Sequence, residues 1–306
     1  MKKAFLIILA LVILCGSLAG CIELPVEVTQ NVHNGNQNGG QNTGNGTGNT
    51  TAPNAVATSP QEVTVEKTVV YDQNNVKITV TGLENGWLGK ELKLLVENNT
   101  THNIALSADE FIINGITVIG FAYIEVAAGK KANGSFEFYS TTMEVAGIDT
   151  FATIDAPDAH IVDTDSYDTL MQTPFSVVTS AGADYQQPIR DDGDVIFQEA
   201  GVTVIAQKYT HDIWGPAIRL VVKNETGKNI IVSAENVSVN DFTISAWLYD
   251  TVYRDTVRFC ELDLFDSGLE ENGIEKVQYV TFTLEIIENA TWDRIAVSGE
   301  LKVIVG

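Results

Sequence analysis

Leu94-Leu95-Val96-Glu97-Asn98-Asn99-Thr100-Thr101-His102-Asn103-Ile104 returns 126 residues later as Leu220-Val221-Val222-Lys223-Asn224-Glu225-Thr226-Gly227-Lys228-Asn229-Ile230. Outward from this pair the register holds. Gly89 answers Gly215, Ser107-Ala108 answers Ser233-Ala234, Asn114 answers Asn240, Tyr123 answers Tyr249, and Gly147-Ile148 answers Gly273-Ile274. Tyr167-Asp168 falls on Trp292-Asp293 after a one-residue slip, and Phe175, Val177 and Val178 fall on Leu301, Val303 and Ile304. Self-similarity at a fixed shift means two copies of one folding unit. They span 63–181 and 190–306, joined by 182–189, and a fragment of residues 190–306 is expected to fold alone.

Each copy reads as β. Val76, Ile78 and Val80 alternate with polar residues, as do Leu92, Leu94 and Val96; Val202 and Val204, then Ile218, Leu220 and Val222, repeat the pattern. Period-two alternation of β-branched residues marks strands with one buried face. Further strands are expected at 135–138, 151–154 and 175–178, and at 261–264, 280–286 and 301–305. The Asn-Thr-rich stretches 98–103 and 224–229 read as hairpin-like links. Short helical turns are expected at 142–146 and 269–272. Strands at this spacing predict an all-β chain of two tandem immunoglobulin-like β-sandwiches. Only Cys260 is left in the folded part, so no disulfide can staple either core, and its place among Phe259, Leu262 and Leu264 makes it a small buried hydrophobe rather than a reactive thiol.

The chain starts with Lys2-Lys3, an apolar run from Ala4 to Leu14, and Leu18-Ala19-Gly20-Cys21. A basic start, an apolar core and a small-residue cut site compose a signal peptide over 1–20. The apolar run is short for a membrane span of about 20 residues. The four-residue box resembles the bacterial lipoprotein signal, which implies cleavage between Gly20 and Cys21 and a diacylglycerol, with its palmitate-type chains, on Cys21. Two acyl chains hold a protein stably on a bilayer. Residues 21–62 then form a lipidated N-terminus and a tether. Positions 29–60 are Asn, Gly, Gln, Thr and Ser with almost no large apolar side chain, a composition that stays disordered.

The tandem layout resembles surface lipoproteins of Gram-positive bacteria with immunoglobulin-like repeats, themselves uncharacterised. The matching residues are Val76-Lys77-Ile78-Thr79-Val80, Trp87-Leu88-Gly89, Leu92 to Asn98, and Ile113-Asn114-Gly115. In the second copy Trp214-Gly215 is shifted by one position and Asp241 replaces the glycine. The resemblance implies the fold and a place on the outer face of the cell membrane, and it implies no active site.

The formal net charge of −22, from 18 basic against 40 acidic residues, argues against nucleic acid, whose phosphates require clustered Lys and Arg. Candidate contacts are the aromatic residues Trp87 and Leu88, Trp214, Trp247 and Tyr249. Each Trp loop could stack on a sugar or anchor a protein, or fold back over the end of its sandwich. The acidic run Asp155, Asp158, Asp163, Asp165, Asp168 begins like a calcium loop but lacks the glycine and the final glutamate, and reads more simply as a solvated turn. The sequence thus sets no metal and no cofactor. His33 lies in the tether, His102, His160 and His211 do not recur at matched positions of the copies, and no nucleophile elbow, zinc-protease motif or phosphate loop is present. The expectation is a lipid-anchored, non-catalytic surface protein for adhesion or envelope scaffolding, held to the membrane through Cys21, with an envelope protein or glycan as partner. The alternatives are a solute-binding or sensing lipoprotein beside a membrane complex, and an envelope enzyme acting on glycan through a carboxylate pair.

Overall fold

The computed structural model describes residues 62–212 and 215–305. Gly20, Cys21, the tether up to residue 61 and Trp214 lie outside the described residues. The first copy runs β1 (Thr68–Gln73), β2 (Val76–Asn85), β3 (Gly89–Asn98), β4 (Ile104–Ile113), β5 (Ile116–Val126), β6 (Lys130–Tyr139), α1 (Ser140–Ala146), β7 (Thr153–Ala156), β8 (His160–Asp163), β9 (Thr169–Gln172) and β10 (Phe175–Val178). The second runs β11 (Asp194–Glu199), β12 (Val202–Asp212), β13 (Gly215–Asn224), β14 (Ile230–Val239), β15 (Phe242–Thr243), β16 (Ala246–Trp247), β17 (Tyr249–Val252), β18 (Thr256–Leu264), α2 (Asp266–Glu271), β19 (Tyr279–Glu288), β20 (Arg294–Val297) and β21 (Leu301–Ile304). The chain is nearly all β, and the strand starts keep the 126-residue shift from β1/β11 to β10/β21.

Each copy is a two-layer sandwich. In the first, β1-β2-β3-β6 make one layer; β4, flanked by β5 on one side and by β7 and β8 on the other, makes the second. The second copy repeats this with β11-β12-β13-β18 and with β14 between β17 and β19. β5 spans both layers: it pairs along β4 and also meets β6 at Gly120 and Phe121. The chain therefore crosses between layers after β3 and returns after β5, the Greek-key wiring of an immunoglobulin-like sandwich.

That wiring corrects one sequence expectation. The 98–103 and 224–229 links are not hairpins, because β3 and β13 pair with β2, β6, β12 and β18, never with the strands that follow them. The local chemistry is the same in a hairpin and a crossover, and here it serves the crossover. The buried Asn98 carboxamide donates to the carbonyls of His102 (2.8 Å) and Val126 (3.0 Å) and accepts from the Thr100 amide (2.9 Å) and hydroxyl (2.7 Å). Asn224 makes the same four contacts with Lys228, Val252 and Thr226 at 2.7–3.0 Å. Asn98→Ala or Asn224→Ala strands several buried backbone groups and is expected to cost about 1–3 kcal/mol each in urea unfolding. A loss of only a few tenths would show that the carboxamide is not the peg of the crossover.

The inward faces build two separate cores. Phe111 packs on Phe136 and Phe138 with centroids 5.1 Å apart in the first, and Cys260 lies buried among aliphatic side chains in the second. Both cores belong to one compact unit. The 182–189 link is fastened to the first sandwich: Gln187 donates to Gly147 O (2.9 Å), and Arg190 beyond it donates to Glu144 O (2.7 Å). Among the described residues no helix is long and apolar enough to cross a membrane.

Candidate functional site between the repeats

The two sandwiches meet through β5 and β18, which pair in parallel at Ile116↔Val257 and Thr117↔Arg258. The Val257 amide donates to Gly115 O (3.0 Å), and the buried hydroxyls of Thr117 and Thr256 lie 2.8 Å apart. Phe259 reaches across and packs against the first core. Arg258 is the clamp. It is 4% exposed, and it donates to Thr251 O (2.7 Å), to Asp250 of its own copy (2.8 Å) and to Glu110 of the other copy. Burial works against its charge, but the carboxylates of Asp250 and Glu110 outweigh it and hold the guanidinium above its usual pKa.

The clamp breaks the repeat symmetry. By register the first copy has Ala132 where the second has Arg258, and the second has Asn236 where the first has Glu110. Ile116, which pairs with Val257 across the seam, is buried in the first core, whereas its counterpart Phe242 is 48% exposed. The contact is therefore specific to one head and one tail and does not propagate to further copies.

Beside this seam lies a cleft of about 480 Å³. One side is β5 and α1 of the first copy, with Val118, Ile119, Thr141 and Thr142; the other is the outer face of β13 and β18, with Arg219, Phe259, Glu261 and Asp263, and Trp247. Trp247 pairs with Asp263 in register, is 57% exposed, and sits 6.0 Å from the Tyr249 ring. The Arg219 Nε and Nη2 groups both donate to Glu261 Oε1, at 3.2 and 2.8 Å. A second hollow, about 650 Å³, lies where loops of the two copies meet, among Pro157, Pro174, Lys228 and Tyr253.

No protein-family model matches the chain, and no curated protein matches it. The functional reading rests on the residues themselves.

Trp247 and Tyr249, two of the aromatic candidates, come together in the second copy, and Trp247 lines the cleft. Their register counterparts Phe121 and Tyr123 are also exposed, so the aromatic pair recurs, with only the tyrosine identical between the copies. Trp87 is far from folding back: it is 93% exposed, with Leu88 partly exposed beside it. The turn backbone is pinned instead, with the Gly86 amide on Gly89 O (2.7 Å) and the Ser140 amide on Leu88 O (2.9 Å). Gly89 has φ +153°, and a side chain there would meet Phe138 O at 2.0 Å, so the loop closes on α1 through its backbone and turns the indole outward.

The acidic run divides. Asp163 caps its own turn: Oδ1 accepts the amides of Asp165 (2.8 Å) and Ser166 (3.2 Å), and Oδ2 meets His102 Nδ1 at 3.0 Å. Those amides, then His102, hold its pKa below the usual carboxylate value. The second copy builds the same turn, with Glu288 facing Lys228 at 2.6 Å and the Trp292 amide on Glu288 O, as the Tyr167 amide is on Asp163 O. Within the turn of Asp163, Asp165 and Asp168 it is the Asp163 carboxylate that is engaged from within, and among the described residues no group of three or more His, Cys, Asp or Glu could hold a metal. Asp158 has a different place. Pro157 interrupts the strand that runs unbroken as β19 in the second copy, and Asp158 turns in toward the β4 bulge at Asp109. Its Oδ2 accepts the Asp109 and Glu110 amides at 3.3 and 3.4 Å, and among the described residues its buried Oδ1 accepts no hydrogen bond. Burial, and then the Asp109 carboxyl, push its pKa up to about 8.

Proposed function

We propose that this chain is a lipid-anchored binding protein of the cell surface, without catalytic machinery of its own. In this reading Cys21 carries the lipid, the Asn/Gly-rich stretch is the tether, and the paired sandwiches present the binding surface to an envelope partner. The observation that carries it is the cleft: two sandwiches clamped by Arg258, with the exposed Trp247 in its lining. Clefts between domains with few convergent polar groups are the usual place for ligands. The nucleophile candidates support a non-catalytic reading. Cys260 is buried, and burial pushes its thiol far above the reactive range. His102 faces Asp163, His160 faces its own turn carbonyl at Asp158, and His211 faces Asp266 at 3.7 Å, each at a different place in the fold. The same cleft also favours the solute-binding alternative, in which the ligand is small and the partner is a membrane complex.

Labelled palmitate tests the anchor. Cells making the full chain should label it and keep it in the membrane fraction, whereas Cys21→Ala should lose the label and pass to the medium. A Cys21→Ala chain that stays labelled would overturn the anchoring assignment. Sedimentation of the purified chain with isolated cell envelopes tests binding, and a chain that never co-sediments would sink that part of the reading.

A further inference from the structure

We infer that the cleft between the repeats takes a neutral sugar, stacked on Trp247 and hydrogen-bonded by the ion-paired side chains of β13 and β18. This rests on the binding reading above and names its ligand class. The argument starts from charge. Two guanidiniums, of Arg219 and Arg258, meet three carboxylates, of Asp250, Glu261 and Asp263, in the lining. Arg219 is held by Glu261, and Arg258 by Asp250 and Glu110. An anionic ligand would have to displace a carboxylate from a guanidinium in a chain that already carries −22. A cation drawn to Asp250 or Glu261 would compete with the arginines that those carboxylates hold. A hydroxyl does neither, since it donates and accepts at once and adds to a charged pair without breaking it.

The geometry supplies both kinds of contact. The two Arg219 bonds land on Glu261 Oε1, which leaves Oε2 to accept from a ligand hydroxyl. Thr141 and Thr142 line the opposite side. Trp247 offers a flat apolar ring at one side, and Phe259 and Ile119 give apolar wall. A pyranose has this duality, a C–H face and an equatorial belt of hydroxyls, whereas a purely apolar ligand would leave the charged pairs desolvated and unanswered. The volume of about 480 Å³ is in the range of small-ligand sites and has room for a mono- or disaccharide.

The purified full chain is titrated with cellobiose, lactose and N,N′-diacetylchitobiose, and screened on an array of neutral oligosaccharides, with Trp fluorescence and calorimetry as readouts. At least one neutral sugar should bind, with affinity little changed by salt because no ion pair forms. Trp247→Ala should weaken it roughly tenfold or more, and Glu261→Gln should weaken it while the far-ultraviolet spectrum stays unchanged. Trp292→Ala, at an exposed tryptophan that does not line the cleft, should bind as the wild type does. No neutral oligosaccharide bound, or binding that Trp247→Ala leaves untouched, overturns the sugar site. If the chain still sediments with envelopes after such a failure, and protease treatment of the envelopes abolishes it, the partner is a protein and the binding reading survives alone. Slow cleavage of a bound oligosaccharide would uphold the sugar site and overturn the non-catalytic reading instead.

Discussion

Replacing Arg258 with methionine is expected to destabilise the chain by about 3–5 kcal/mol, the usual cost of removing one partner from a buried ion pair. The side chain bridges Asp250 and Glu110, which are themselves only about one-fifth exposed at 22% and 21%. Without the guanidinium, two partly buried carboxylates face each other's field across the seam, and Thr251 O loses its donor. For a unit of this size the change lowers the melting temperature by roughly 10 °C. Arg258→Lys should be intermediate, because an ammonium keeps the charge but lacks the planar fork that serves two carboxylates and a carbonyl together. The triple variant Glu110→Gln, Asp250→Asn, Arg258→Met removes all three charges and should recover much of the loss. Urea midpoints of the three variants decide the matter. If Arg258→Met costs less than about 1 kcal/mol, the clamp is ornamental and Phe259 with the Thr117–Thr256 contact holds the seam.

The clamp also marks where the sequence stopped being legible. Alternation and the 126-residue register marked β2, β3, β6, β7 and β10 and their counterparts, because a buried face imposes period two on whatever residues fill it, but they left out β4, β5 and β14, which carry the second layers and the seam. They could not name partner strands. Asn98 and Asn224 make turns whose local hydrogen bonds look alike in a hairpin and in a layer crossing, so local sequence does not tell one from the other. The seam was invisible for a different reason. Glu110 and Arg258 are 148 residues apart and exist only where the repeat departs from itself, at Asn236 and Ala132. One signal was available: Thr256, Arg258, Cys260, Leu262 and Leu264 share an inward face of β18, and an arginine in such a row needs a buried counter-charge. Trp247 and Tyr249 were visible as aromatics, but the place of Trp247 in a cleft depends on how the sandwiches dock, which no local pattern encodes. Trp87 failed as a cap because the glycines around it secure the loop through backbone, leaving its side chain nothing to cover.

Asp158→Asn should flatten the pH dependence of stability between about pH 4 and pH 8. The wild-type carboxyl titrates at about 8 when folded, raised by burial and by Asp109, against about 3.9 in an unfolded chain. The folded state thus binds this proton more tightly than the unfolded one. The contribution is fully present below the unfolded value and is lost as pH rises through the folded value. A single group of this kind gives at most about 1.4 kcal/mol per pH unit across the window, and less here because the residue is only partly buried. Glu110, Asp109, Tyr253 and Arg258 surround the site, and Tyr253 is itself raised by burial and then by Glu110, Asp158 and Asp109, so an ionised Asp158 adds to an already acidic corner of the seam. An asparagine keeps the shape, accepts the Asp109 and Glu110 amides through its oxygen, and offers its amide to the Asp109 carboxylate without a proton to lose. The general repulsion of a −22 chain also weakens folding as pH rises, and it acts on wild type and variant alike, so the difference between them isolates this carboxyl. Urea midpoints at pH 5 and pH 8.5 should diverge for the wild type and converge for Asp158→Asn, with the variant the more stable at the alkaline end. Parallel curves would mean that Asp158 is ionised in the fold and that water satisfies its second oxygen.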